Sequence, residues 1–174
     1  MFDFLLVDGY NIIHDWKMLK DISKISLEMA RDRLVSMLAN YQGYKDISII
    51  VVFDAHKISS PESIISEGNV VVVYTSEFET ADAYIERTAS NLRSLVSPYR
   101  LAVATSDFAE QLIIMGKGAI RLSAKDLLQE IGKTEKEIRQ KIEAGRPIKN
   151  NQLLDILDEE TAALLDKMRL DKRL

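Results

Sequence analysis

Short, nearly continuous apolar runs alternate along this chain with longer stretches in which apolar residues recur every three or four positions. Residues 2–7, 48–53, 69–74 and 100–104 are dense in Val, Ile, Leu and Phe, the composition of strands buried on both faces of a parallel sheet. Residues 119–122 predict a short fifth strand. Between these runs, residues 27–41 place Leu27, Ala30, Leu34, Leu38 and Tyr41 on one helical face, with Gly43 expected to end the helix. Residues 81–96 do the same with Ala81, Ile85, Leu92 and Val96, and Pro98 follows; residues 108–115 predict a short helix closing at Gly116. Such alternation predicts a three-layer α/β/α fold with a mainly parallel sheet.

Beyond Leu122 the pattern turns helical throughout. Ser123-x-x-Asp126 and Thr134-x-x-Glu137 read as capping boxes, and Gly132 and Gly145 sit where helices would stop. A last helix is expected over residues 152–168, with a leucine stripe that packs on the domain and gives no indication of a dimer. Repeats, low-complexity tracts and long linkers are absent from the sequence. The organisation expected is one domain over residues 1–174, with a core of about 1–128 and a helical C-terminal extension of about 129–174.

Composition narrows the class. The 174 residues are 47% hydrophobic and 29% charged, with a net charge of −4, as in a soluble globular protein. The lack of cysteine excludes disulfides, thiolate zinc sites and a cysteine nucleophile, and fits a reducing cytosol. The longest apolar runs are strand-sized, so no membrane helix is expected. The opening Phe-Asp-Phe-Leu-Leu-Val-Asp lacks the basic start and small-residue cleavage site of a signal peptide, so the expected location is cytoplasmic.

In open parallel sheets, ligands bind beyond the carboxyl ends of the strands, and here those ends are acidic. The first strand runs into Asp8-Gly9-Tyr10-Asn11 and the second into Asp54-Ala55-His56. The third is followed by Glu77-Phe78-Glu79-Thr80-Ala81-Asp82, and the fourth by Thr105-Ser106-Asp107. Each acid has an ordinary explanation: Asp8-Gly9 as a turn, Asp54 as a loop stabiliser, Asp82 as a helix-dipole partner, and Asp107-x-x-Glu110 as a capping box. Taken together, four carboxylates on one rim repel unless a cation sits among them. Oxygen ligands without cysteine point to Mg²⁺ or Mn²⁺. Phosphoryl transfer onto an aspartate requires a neighbouring acid that neither Asp8 nor Asp54 has. Rossmann and Walker loops require a glycine spacing that Asp8-Gly9-Tyr10-Asn11 does not supply. Metal-assisted phosphodiester hydrolysis remains, with in-line attack by water leaving 5′-phosphate and 3′-hydroxyl ends. An RNase-A-like route would need a histidine pair, and the two histidines lie far apart in sequence.

Val7-Asp8-Gly9-Tyr10-Asn11, Phe53-Asp54-Ala55-His56, Glu79-Thr80-Ala81-Asp82 and Thr105-Ser106-Asp107, in this order, resemble the NYN-domain ribonucleases, more narrowly their bacterial YacP-type members. The resemblance covers Phe2 to about Leu128 and extends to the helical tail. It implies a PIN-like α/β/α fold, a Mg²⁺- or Mn²⁺-dependent acidic site, hydrolysis of RNA and, as in a YacP-type endoribonuclease that cuts mRNA in the A site, association with the ribosome. Carried over, Asp8, Asp54, Asp82 and Asp107 become metal-binding and catalytic acids. Asn11, Thr105 and Ser106 become the residues that orient water, metal or a phosphate oxygen.

Of the two glutamates flanking Asp82 on its helical side, Glu79 is the stronger candidate for a second-metal ligand or base, while Glu86 more readily pairs with a surface cation. His56 reads as a structural hydrogen-bonder. His14 and Trp16 fall in a loop where either could stack on a base, with burial the expected role of Trp16. Residues 1–114 carry a net −6, residues 115–149 a net +4 and residues 150–174 a net −2. Within the basic segment, Lys117, Arg121 and Lys125 follow the Asp107 rim and are expected to hold the RNA backbone; Lys133 to Lys141 read as a solvated helix face. The −4 total excludes tight, indiscriminate RNA coating and favours delivery of substrate by a larger partner. Two other readings stay open on sequence: a non-catalytic RNA- or ribosome-binding module and a metal-dependent phosphatase.

Overall fold

The computed structural model describes residues 2–54, 63–67, 70–95, 100–107, 111, 116 and 118–143. The chain opens on a fully buried strand, β1 (Phe4–Asp8), which passes directly into α1 (Gly9–Asp15) and α2 (Lys17–Ser23). The long helix α3 (Leu27–Lys45) leads to β2 (Ser48–Phe53). An antiparallel pair follows, β3 (Ser63–Glu67) and β4 (Val70–Tyr74), then α4 (Ala81–Leu95), β5 (Leu101–Ala104), β6 (Ile120–Leu122) and α5 (Ala124–Glu143).

One six-stranded sheet results, in the order β3-β4-β2-β1-β5-β6. Every pairing is parallel except β3 with β4. β1 is central, with Phe4 opposite Ser48 on one side and Leu101 on the other. After β1 the chain builds outward through β2 and β4, and α4 then carries it back past β1 to β5. The carboxyl edge between β1 and β5 is therefore the topological switch point, where α/β sheets form their crevices.

Alternation along the strands sorts the core into two layers. Leu5, Val7, Ile49, Val51 and Phe53 face α1, α2, α3 and α5. Phe4, Leu6, Ile50, Val52 and Val103 face α4 through Ala81, Tyr84, Ile85, Ala89 and Leu92. Trp16 takes extended backbone between α1 and α2. It is buried, and its Nε1 donates to Ala124 O at 2.8 Å, tying the α1–α2 junction to the start of α5. Burial is thus the role of Trp16, and the segment expected as a loop is helical.

Three local expectations differ from the structure. Helix α3 runs through Gly43 to Lys45, because Tyr41 and Gln42 continue its buried face, and Asp46 ends it in the left-handed region (φ 56°). Helix α5 runs through Gly132 and Thr134: Thr134 is buried inside it rather than capping a new helix, and its Oγ1 has no hydrogen-bond partner among the described residues. The Ser123 cap does form: Asp126 N donates to Ser123 Oγ at 3.1 Å, and Ser123 Oγ donates to Asp126 Oδ2 at 2.6 Å. That bond holds the Asp126 carboxyl below the usual aspartate range. Most of the helix expected at 108–115, and all of the one expected at 152–168, lie outside the described residues.

Gly9 joins strand to helix beneath the Phe53 ring. A Cβ there would sit 2.5 Å from Phe53 Cδ1 and 2.8 Å from Cζ, well inside van der Waals contact. Gly9→Ala is expected to destabilise the fold by about 1–3 kcal/mol, the usual cost of overpacking. Adding Phe53→Leu should recover part of that loss in urea unfolding; strictly additive effects would exclude the steric account.

Candidate functional site

Asp8 ends the central strand and is only 4% exposed. Its side chain caps α1: Oδ1 accepts from Asn11 N at 3.1 Å, and Oδ2 accepts from Asn11 Nδ2 at 2.6 Å. Asn11 Oδ1 in turn accepts from Ser106 Oγ at 2.6 Å, across the switch point from the segment after β5. A chain Ser106–Asn11–Asp8 therefore fixes the Asp8 carboxylate, with both ends of the Asn11 amide engaged within the protein.

Thr105 is 0% exposed. Its Oγ1 accepts from Asp107 N at 3.1 Å, and its carbonyl accepts from Gln111 Nε2 at 2.7 Å. It thus sets the turn that presents the exposed Asp107. Asp82 occupies the first turn of α4, where Thr80 Oγ1 caps the helix by accepting from Ala83 N at 3.2 Å. Asp54 follows β2 and is partly buried.

These four aspartates feel one another. Burial first, and then the charge of Asp54, push the Asp8 carboxyl above its ordinary value, against the lowering effect of the Asn11 bonds. Asp82 is exposed by surface area. Its carboxyl is nevertheless raised, first by loss of surrounding water and then by the charges of Asp8, Asp107 and Asp54. Four segments far apart in sequence thus bring like charge to one edge.

Glu79 lies elsewhere in this network. Its carboxylate takes a forked grip from Arg87, with Nη2 at 2.8 Å and 2.9 Å and Nε at 3.0 Å, while that guanidinium lies 4.8 Å from the Tyr84 ring centroid. Glu79 therefore pins the turn before α4. Arg121 and Lys125 are exposed and close enough to Asp126 to act on its charge. Lys117 and His56 lie outside the described residues, and His14 is exposed, 6.5 Å from the Tyr10 ring.

The sequence pattern of a YacP-like NYN domain matches residues 5–170. The chain belongs to the YacP-like NYN domain family. It is 44% identical to the YacP protein of Bacillus subtilis (strain 168) over 140 residues, covering 80% of this chain and 81% of that one. It is also similar to the crystal structure of Rae1 (YacP) from Bacillus subtilis, with a TM-score of 0.70 and 39% identity over 98% of each chain. A mutant of that protein gives a TM-score of 0.72 and 38% identity, over 96% of this chain and 94% of the other. The NYN domain is a nuclease-type family with an RNA-related function. No helix among the described residues is long and apolar enough to cross a membrane.

In this NYN domain the donor set has the right chemistry for a hard divalent cation, namely carboxylate oxygens in mutual repulsion. Among the described residues, however, no group of three or more His, Cys, Asp or Glu side chains is arranged to hold a metal ion. Asp8 is buried and fixed, whereas Asp82 and Asp107 are exposed. Sequence reasoning missed Gln111 and Arg87. The Arg87–Glu79 grip spans eight residues, outside the short helical spacings that sequence patterns report.

A carboxyl raised in the folded state favours folding most below the ordinary aspartate value of 3.8 and loses that contribution as pH rises through its raised value. Screening at exposed Asp82 keeps the penalty on the order of 0.5 kcal/mol. In EDTA near neutral pH, Asp82→Asn should therefore melt about 1–2 °C above the parent. Stabilisation by Mg²⁺ or Mn²⁺ should grow in the parent as pH rises above the ordinary aspartate value of 3.8, and should be smaller in the variant. A cation response that is flat with pH and identical in both proteins would count against the acidic rim as the binding place.

Proposed function

We propose that this NYN domain, taken as one unit over residues 1–174, is a Mg²⁺- or Mn²⁺-dependent endoribonuclease. It hydrolyses RNA to 5′-phosphate and 3′-hydroxyl ends and acts on mRNA brought to it by the ribosome in the cytoplasm. The observation that carries the reading is the convergence of acids from four separate segments on one carboxyl edge, where Asn11 and Ser106 fix the Asp8 carboxylate. A phosphodiester is itself an anion and is repelled by such a rim unless a cation intervenes. Asp8, Asp54, Asp82 and Asp107 are the residues that would hold the cation. When bound there, a divalent cation supplies activation of water and neutralisation of charge developing on the phosphate oxygens.

The chain's own contribution is positioning. Ser106 and Asn11 hold the Asp8 carboxylate in one rotamer, so it need not be reordered when substrate arrives. Thr105 holds the backbone of Asp107. Lys117, Arg121 and Lys125 are assigned to the RNA backbone. The acidic balance of the whole chain supports delivery by a larger partner, because free RNA gains little from a protein of net charge −4.

End-mapped cleavage of one mRNA, translated and naked, tests the reading. Mg²⁺ or Mn²⁺ should support cutting and EDTA abolish it, with translated message the better substrate. Ser106→Ala and Asn11→Ala should lose about 10–100-fold, as outer-shell changes do, and Asp8→Asn and Asp82→Asn should lose more. Products bearing 2′,3′-cyclic phosphate, or full cutting by both aspartate variants, would overturn it.

A further inference from the structure

Arg31 lies on α3, near the carboxyl edge of the sheet. Its Nη1 donates to Tyr10 Oη at 2.9 Å, and its Cζ lies 5.6 Å from the Tyr74 ring centroid. Those rings continue into one aromatic bed: Tyr10 is 5.1 Å from Phe53, and Phe53 stacks on Tyr74 at 5.6 Å. Each member of the bed is an end residue of the rim. Tyr10 follows Asp8 by two positions, Phe53 immediately precedes Asp54, and Tyr74 closes β4 in register with Phe53.

The guanidinium is partly buried, and among the described residues no carboxylate forms an ion pair with it. Glu28, one turn earlier on α3, reaches it only through its field. One donor is used on Tyr10, and among the described residues the other four N–H groups of the arginine fork have no hydrogen-bond acceptor. An arginine braced by hydroxyl and ring contacts, with no ion-paired acid among the described residues, is prepared for an anion that comes from outside. Because its orientation is already set, little side-chain entropy remains to be lost on binding.

Placement indicates which anion. α3 packs on the sheet face of Val51 and Phe53, whereas Asp82 heads α4 on the opposite face. Arg31 and Asp82 thus stand on opposite lips of one edge, and a strand of linked phosphates crossing it meets both. We infer that Arg31 binds a backbone phosphate of single-stranded RNA, flanking the phosphate held at the acids, and is a positioning residue rather than a catalytic one. This inference rests on the RNA-cleaving reading above.

Anisotropy with labelled single-stranded RNA, in Mg²⁺ and with cutting suppressed by Asp82→Asn, tests it. Adding Arg31→Gln should weaken binding about three- to tenfold, equally across sequences, and reduce the slope of log affinity against log salt by about 0.7. Arg31→Lys should restore the slope but only part of the affinity, since a lysine lacks the planar fork. In otherwise wild-type protein, Arg31→Gln should raise KM and leave kcat within about twofold. Should Arg31→Gln fail to fold, Arg31→Lys decides through lower affinity at unchanged slope. Unchanged affinity and slope, with wild-type cutting intact, would overturn the Arg31 inference alone. Absence of RNA binding in the Arg31-containing protein, together with no metal-dependent cutting of translated mRNA by the wild type, would overturn both readings.

Discussion

Burying a carboxylate is costly unless its oxygens are partnered, and Asp8 is a carboxylate buried at the end of the middle strand. Asn11 meets that demand twice, once through its backbone and once through its side chain. Both bonds require α1 to begin at once, without a loop, so that Asn11 lies one helical turn beyond Asp8. An immediate start in turn requires Gly9, because α1 leaves the sheet under the Phe53 ring. Strand end, helix start and site geometry are thus one arrangement. The Ser106 bond to Asn11 extends it across the switch point and makes the position of Asp8 depend on the segment after β5.

Around this fixed acid the charges are deployed by layer. Asp82 approaches from the α4 face, Asp107 from beyond β5, and Asp54 from beyond β2. Several cations among the described residues have partners of their own. Arg87 is committed to Glu79, Arg31 to a pair of tyrosines, and Arg121 and Lys125 lie around Asp126. A net charge that looks unpromising for a nucleic-acid partner conceals a local pattern well suited to one.

Much of the fold was legible because buried parallel strands write themselves as continuous apolar runs, and all five strands expected on that basis are present. β3 escaped because Ser63–Glu67 is a short, largely polar edge strand; the Gly68-Asn69 pair between it and β4 was the available hairpin signal. The helix ends at Gly43 and Gly132 were misplaced because packing overrides a glycine's preference. Tyr41, Gln42 and Thr134 are buried, and neither glycine has a neighbour that its missing side chain would meet. For the candidate site, strand-end position located the acids that the structure gathers at one edge. It could not show that Thr105 faces inward, that Asn11 spends both ends of its amide on protein partners, or that Arg87 occupies Glu79. Those facts depend on side-chain contacts between segments distant in sequence.

The switch-point topology has a consequence for the order in which the protein is made. A ribosome releases Asp8, Asp54 and Asp82 in turn, but β1 has only one of its two neighbours until β5 is synthesised, and Asn11 has no Ser106 to accept from. A nascent or truncated chain ending before residue 100 therefore carries three of the four acids without the strand that completes their edge. The edge therefore stays unassembled until the chain has passed that point, simply because the sheet adds its fifth strand on the opposite side of the first.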